Sequence, residues 1–115
     1  MSEWNAMTYE GKDTILRVVR NEAERFFALA ERPDLWHAQS ACDRWTTADV
    51  VGHIVDTTEG YFRAFDAARG TGEVGEPHGL PAMSELANEG ATSFRGASQD
   101  EMMERIRTDF HKMQE

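Results

Sequence analysis

His53 is the residue of this chain best placed to do chemistry. It ends the run Cys42-Asp43-Arg44-Trp45-Thr46-Thr47-Ala48-Asp49-Val50-Val51-Gly52-His53, two turns into a long helix and on the side where apolar residues recur. An imidazole held at a fixed, semi-buried helical position is suited to bind a metal or carry a proton near neutral pH. Its neighbours one turn away are Asp49, Val50, Asp56 and Thr57. On periodicity alone the simpler account is a histidine satisfied locally by Asp49 or Asp56, because a catalytic metal site usually takes three protein ligands. Only Asp49 stands four residues before a histidine, and it is better used at the helix start. His37 falls in a connector, His78 in a glycine-rich loop and His111 near the last residue. Spacing therefore offers no self-contained metal triad.

Other candidates are weaker. Cys42 precedes a helix, whose N-terminus can lower a thiol pKa. No histidine or asparagine pattern announces a nucleophile, and a small half-buried anchor is the expectation. Met102, Met103 and Met113 with Phe110 read as core filler at helical spacing. The acidic residues between Gln99 and Glu104 suit a helix N-terminus. Gly70, Gly72, Gly75 and Gly79 follow no strand and form no phosphate cradle, so no nucleotide site is visible.

The elements that must position His53 are helical. Ile15, Leu16, Val19, Ala23, Phe26, Phe27 and Ala30 form one stripe of a helix from about Tyr9 to Arg32, ended by Pro33. A connector with Trp36 and Trp45 follows and folds against the bundle. Thr46 then caps a second helix from Thr47 to Arg69. Asp49 is its capping-box partner, Trp45 and Val50 form a hydrophobic staple, and Gly70 closes it. The staple implies a buried Trp45 ring. The expected apolar face of this helix is Val50, Ile54, Thr57, Gly60, Tyr61, Ala64, Phe65 and Ala68, with Val51 beside it. Glycines and prolines make Gly70 to Pro81 a surface loop. A third helix is expected from Met83 to Phe94, interrupted by Gly90. The box Ser98-Gln99-Asp100-Glu101 opens a last helix carrying Met102, Met103, Ile106, Phe110 and Met113. No β-branched alternation competes. The fold class is all-α: an up-down bundle of three long, antiparallel helices plus one short one. The last stripe is still in phase at Met113, so a fourth bundle helix is expected beyond it.

The chain has 115 residues, the size of one domain over residues 1–115. Its net charge of -9 makes nucleic acid and anionic membranes poor partners. A lone cysteine excludes an internal disulfide and fits a reducing cytoplasm. No signal-peptide pattern opens the sequence, and no apolar run reaches the roughly 20 residues of a membrane span. A cytoplasmic location is the expectation.

The residues from Cys42 to Asp56 resemble the signature C-x-G-W-T-x-x-D-V-V-x-H-L of the mycothiol-dependent maleylpyruvate isomerase N-terminal domains, which belong to the DinB-like (YfiT-like) metal-binding four-helix bundles. Thr57-Thr58-Glu59-Gly60-Tyr61-Phe62 and Ala91-Thr92-Ser93-Phe94-Arg95 are also similar. Arg44 stands where the signature often has glycine. The resemblance covers about residues 10 to 115, the first two-thirds of such a domain. It implies that His53 is one ligand of a divalent metal, zinc or nickel. It also implies that an acidic residue or histidine, and a histidine four positions later, complete the site from a last helix that this sequence lacks. The implied function is that of an isomerase or transferase with a low-molecular-weight thiol as cosubstrate and a small electrophile as substrate. A coordinated thiol loses its proton and becomes a strong nucleophile at neutral pH. The alternative is a non-catalytic helical module. In either case the unfinished bundle is expected to be completed by a C-terminal segment or by a second copy in a homodimer.

Overall fold

The computed structural model of the chain describes residues 11–72 and 79–114, without the side chains of Leu80 and Pro81. Four helices follow one another: α1 (Lys12–Ala30), α2 (Thr47–Ala68), α3 (Leu80–Thr92) and α4 (Gln99–Met113). No strand forms among the described residues; Gln39 and Thr46 make one isolated bridge. The expected helix start at Tyr9 lies outside the described residues, as do the loop residues Val74, Gly75 and His78.

The connector between α1 and α2 fixes where α2 begins. Its backbone turns back so that the amides of Thr47 and Ala48 donate to the carbonyls of Ala38 and Trp36, each at 2.9 Å. The Asp49 amide donates to Thr46 Oγ1 at 3.3 Å, and Asp49 Oδ2 accepts from the Thr46 amide at 3.1 Å. The first amides of α2, which have no partner inside the helix, are thereby satisfied. Gln39 Nε2 holds the loop closed through the carbonyls of Cys42 and Trp45, at 2.8 and 3.0 Å. Trp36 is buried in the core. The far end of α2 closes on Gly70, whose φ of 77° is a conformation that side chains disfavour. Thr71 N–H reaches the Asp66 carbonyl and Gly70 N–H that of Ala67, the double bond pattern of a glycine C-cap.

The core comprises Phe27, Ala30, Trp36, Val51, Val55, Met102, Met103 and Ile106. Phe27 meets Phe110 edge-on at 5.6 Å. Gln99 Nε2 donates to the Ala30 carbonyl at 2.8 Å, tying the start of α4 to the end of α1. α1 is therefore antiparallel to α4. Asp49 at the start of α2 pairs with Arg95 just before α4, and the pairs Glu59–Arg105 and Phe62–Lys112 then step forward together along α2 and α4, so these two helices run parallel. This departs from the expected antiparallel order. α3 provides the crossover that returns the chain to the same end.

α3 starts at Leu80, three residues earlier than expected, because Pro81 fits the first turn of a helix, where its missing N–H is not required. Gly90 does not interrupt it. α3 crosses α2 where Gly52 approaches the Ala91 carbonyl and Gly90 lies over Asp56.

The buried face of α2 also differs from expectation. Val51 and Val55 are buried, while Tyr61 is 55% and Phe65 47% exposed, and Thr57 is exposed. α2 is apolar around much of its circumference, so periodicity does not select one stripe. Packing against α3 and α4 selects the Val51–Val55 side.

Candidate functional site

His53 is half-buried on α2, on the opposite flank from Val51 and Val55. The Trp45 ring lies over it, with centroids 4.9 Å apart and planes tilted by 34°. Trp45 Nε1 donates to Asn88 Oδ1 on α3 at 3.1 Å. The tryptophan thus bridges the α2 entry, the imidazole and α3. Its ring is half-buried, not enclosed as the staple implied, because its recorded ring contact goes one turn beyond Val50 to His53.

The imidazole is positioned but not satisfied. His53 Nδ1 is buried and has no hydrogen-bond partner. Asp49, the first local candidate, is occupied: besides the Thr46 amide it accepts from Arg95 Nε and Nη2, both at 3.1 Å. Burial opposes ionisation of Asp49, but Arg95 and the Thr46 amide outweigh it and hold the carboxyl below the usual range. Asp56 is packed over Gly90. An unpaired buried nitrogen costs free energy unless something outside the helix meets it.

The other sequence candidates do not join His53. His37 is exposed and lines a small cavity with Asp49 and Arg95. His111 is exposed and packs on Phe110. His78 lies outside the described residues. Cys42 is exposed, contrary to the expected half-buried anchor. Its backbone carbonyl, not its thiol, does the anchoring, by accepting from Gln39, Ser40 and the Trp45 amide. Among the described residues, no group of three histidine, cysteine or acidic side chains is placed to hold a metal ion. The described residues therefore offer His53 as one donor and do not by themselves fit a divalent metal.

Residues 16–114 match the family of the mycothiol maleylpyruvate isomerase N-terminal domain. The chain belongs to that family. No individual curated protein and no solved structure matches it significantly. As a member of the mycothiol maleylpyruvate isomerase N-terminal domain family, it carries a thiol-related function. Within that span, Thr46 and Asp49 shape the α2 entry and Trp45 covers His53.

A second cluster, between α2 and α4, escaped the sequence reading. Arg105 forms two bonds with Glu59, at 2.7 and 2.5 Å. Asp109 lines the same cleft as Glu59 and Arg105. Asp109 is 8% exposed, and its Oδ2 is buried without a partner. Burial, followed by the Glu59 carboxylate, raises the Asp109 pKa to about 7. The bond from Arg105 holds Glu59 below the usual glutamate range. The signal was available: Met102, Ile106, Asp109 and Met113 follow one helical stripe, so Asp109 is an acid on an apolar face.

Proposed function

We propose that this chain is the thiol-handling helical part of a mycothiol-dependent isomerase or transferase, in which His53 contributes one ligand to a divalent metal, zinc or nickel. The observation that carries this reading is the buried, unpartnered Nδ1 of an imidazole fixed under Trp45. A histidine retained only for packing would be paired with Asp49 or Asp56. The remaining donors come from outside the described residues. Family membership supports the thiol; the metal and the electrophilic substrate are part of the proposal. The polar side chains at the α2 entry set the orientation of His53. Trp45 covers one ring face, and the Asp49–Arg95 pair fixes the first turn of its helix.

The bundle also has an open apolar face between α1, α2 and α4. Ala23 and Phe26 on α1, Ile54 and Thr58 on α2, and Ile106, Phe110 and Met113 on α4 line an apolar groove of about 300 Å³. We propose that a second copy of this chain packs along it.

The test is metal content and mycothiol-dependent isomerisation in protein assembled with whatever supplies the other donors. His53→Ala should abolish stoichiometric zinc or nickel and reduce the rate at least 100-fold, the upper range for disturbing a metal's ligand environment. The isolated 115-residue chain should hold these ions only weakly. Unchanged metal content in His53→Ala would defeat the assignment and favour a non-catalytic module.

A further inference from the structure

The cluster formed by Arg105, Glu59 and Asp109 lies apart from His53 and plays no part in the function proposed above. It joins two helices that share no turn. It also contains a carboxyl that is more than nine-tenths buried, with one oxygen unsatisfied. Glu59 and Asp109 line one cleft, and two neighbouring carboxylates cannot both ionise without strong repulsion. One proton between them turns repulsion into a hydrogen bond, with the Asp109 hydroxyl donating to Glu59. We propose that this chain is a proton-operated latch, in which the proton shared by Glu59 and Asp109 seats α4 on α2 and its release to solvent loosens that seat.

The surrounding charges define the direction. Glu59 and Arg63 face the cluster from α2; Glu101, Glu104, Arg105 and Lys112 face it from α4. Together with Phe62 and Thr108 they line an open cleft of about 550 Å³, through which the proton reaches water. Arg105 is bound to both Glu59 oxygens through its Nε and Nη2, so Glu59 stays ionised and Asp109 holds the proton. The raised Asp109 pKa, about 7 against an ordinary 3.8, fixes the sign. Its stabilising contribution is complete below the unfolded value and is lost as pH rises through about 7. The lowered pKa of Glu59 acts oppositely: its contribution is present above the ordinary 4.5 and is lost on acidification. The latch is therefore closed in mildly acidic solution and opens across neutrality. α4 also carries Ile106 and Phe110 into the apolar groove, so opening the latch changes the shape of that groove.

Backbone amide exchange of the full chain, corrected for the intrinsic rate at each pH, tests the proposal together with a carboxyl carbon titration. In the unmodified protein, protection of α4 amides should fall about tenfold between pH 6 and 8, the change expected for roughly one unit of coupling. Asp109→Asn keeps a hydrogen-bond donor toward Glu59 and cannot ionise, so its α4 protection should stay level. Glu59→Gln removes the second charge but leaves Asp109 buried and ionisable, so it should make the fall smaller without abolishing it. Asp109 should titrate near pH 7 in the unmodified protein. The chain's other ionisable groups are the same in every variant, so the difference isolates the latch. An equal fall in the unmodified protein and both variants, no fall at all, or an ordinary Asp109 titration would overturn it.

Discussion

Thr46 and Trp45 act on the same helix start by different means. Thr46→Ala removes the acceptor for the Asp49 amide and should cost about 1 kcal/mol in chemical denaturation. Trp45→Ala should cost about 2 kcal/mol, below the figure for a fully enclosed ring, because this ring is half-buried. It also uncovers one face of His53. Negligible effects of both substitutions would place the determinant of the helix start elsewhere. The cap was legible in the sequence because Thr46 and Asp49 make a local arrangement, fixed by a three-residue spacing. The unpaired state of His53 was not legible. It depends on Asp49 being held by Arg95, 46 positions away, a contact no short window contains. Asp109 lies between these cases: its position on an apolar stripe was readable, but its partner Glu59 is set by the register of two distant helices.

At the scale of elements, the α2–α3 crossing depends on close backbone approach. A Cβ at Gly52 would lie 2.6 Å from the Ala91 carbonyl oxygen and 3.3 Å from the Phe94 ring. Gly-to-Ala in an exposed helix interior gains about 1 kcal/mol. Here the backbone of α3 must move, so Gly52→Ala should instead destabilise by about 1–3 kcal/mol. Gly90 gives the internal control. The nearest atoms to a Cβ there belong to the Asp56 side chain, which can rotate away, so Gly90→Ala should cost markedly less than Gly52→Ala. Thermal or urea denaturation of the two variants compares them directly. Equal costs would show that the crossing is not set by the Gly52–Ala91 approach. The four helices and the Ser98 cap were readable from local spacing; Ser98 Oγ does accept from the Glu101 amide. The parallel course of α2 and α4 was not, because it follows from the crossover path of α3 rather than from any helix's own pattern. The buried side of α2 was misread for a related reason: a helix apolar on several sides takes its orientation from its neighbours.

The whole molecule presents an apolar strip that its described helices leave uncovered. Along α1 it runs through Val19, Ala23 and Phe26, and along α2 through Ile54, Thr58, Tyr61 and Phe65, with Met113 at its edge. Successive members of each run are three or four residues apart, so each run follows one side of its helix. Tyr61 and Phe65 also stack on one another, 6.4 Å apart with planes 22° from parallel. Ile54, Tyr61 and Phe65 belong to the stripe that periodicity assigned to the core of α2. It reads as core in the sequence and as surface in the structure because no described helix lies against it. Soluble monomers rarely expose a continuous apolar strip of this kind. A second copy necessarily carries the same strip, and a two-fold contact would cover both at once. Light scattering of the isolated chain at micromolar concentration should therefore give a mass above that of the monomer. Phe65→Glu should shift it toward monomer without unfolding it, since Phe65 is already about half exposed. A monomeric unmodified chain that binds no dye specific for apolar surface would refute self-association through this face.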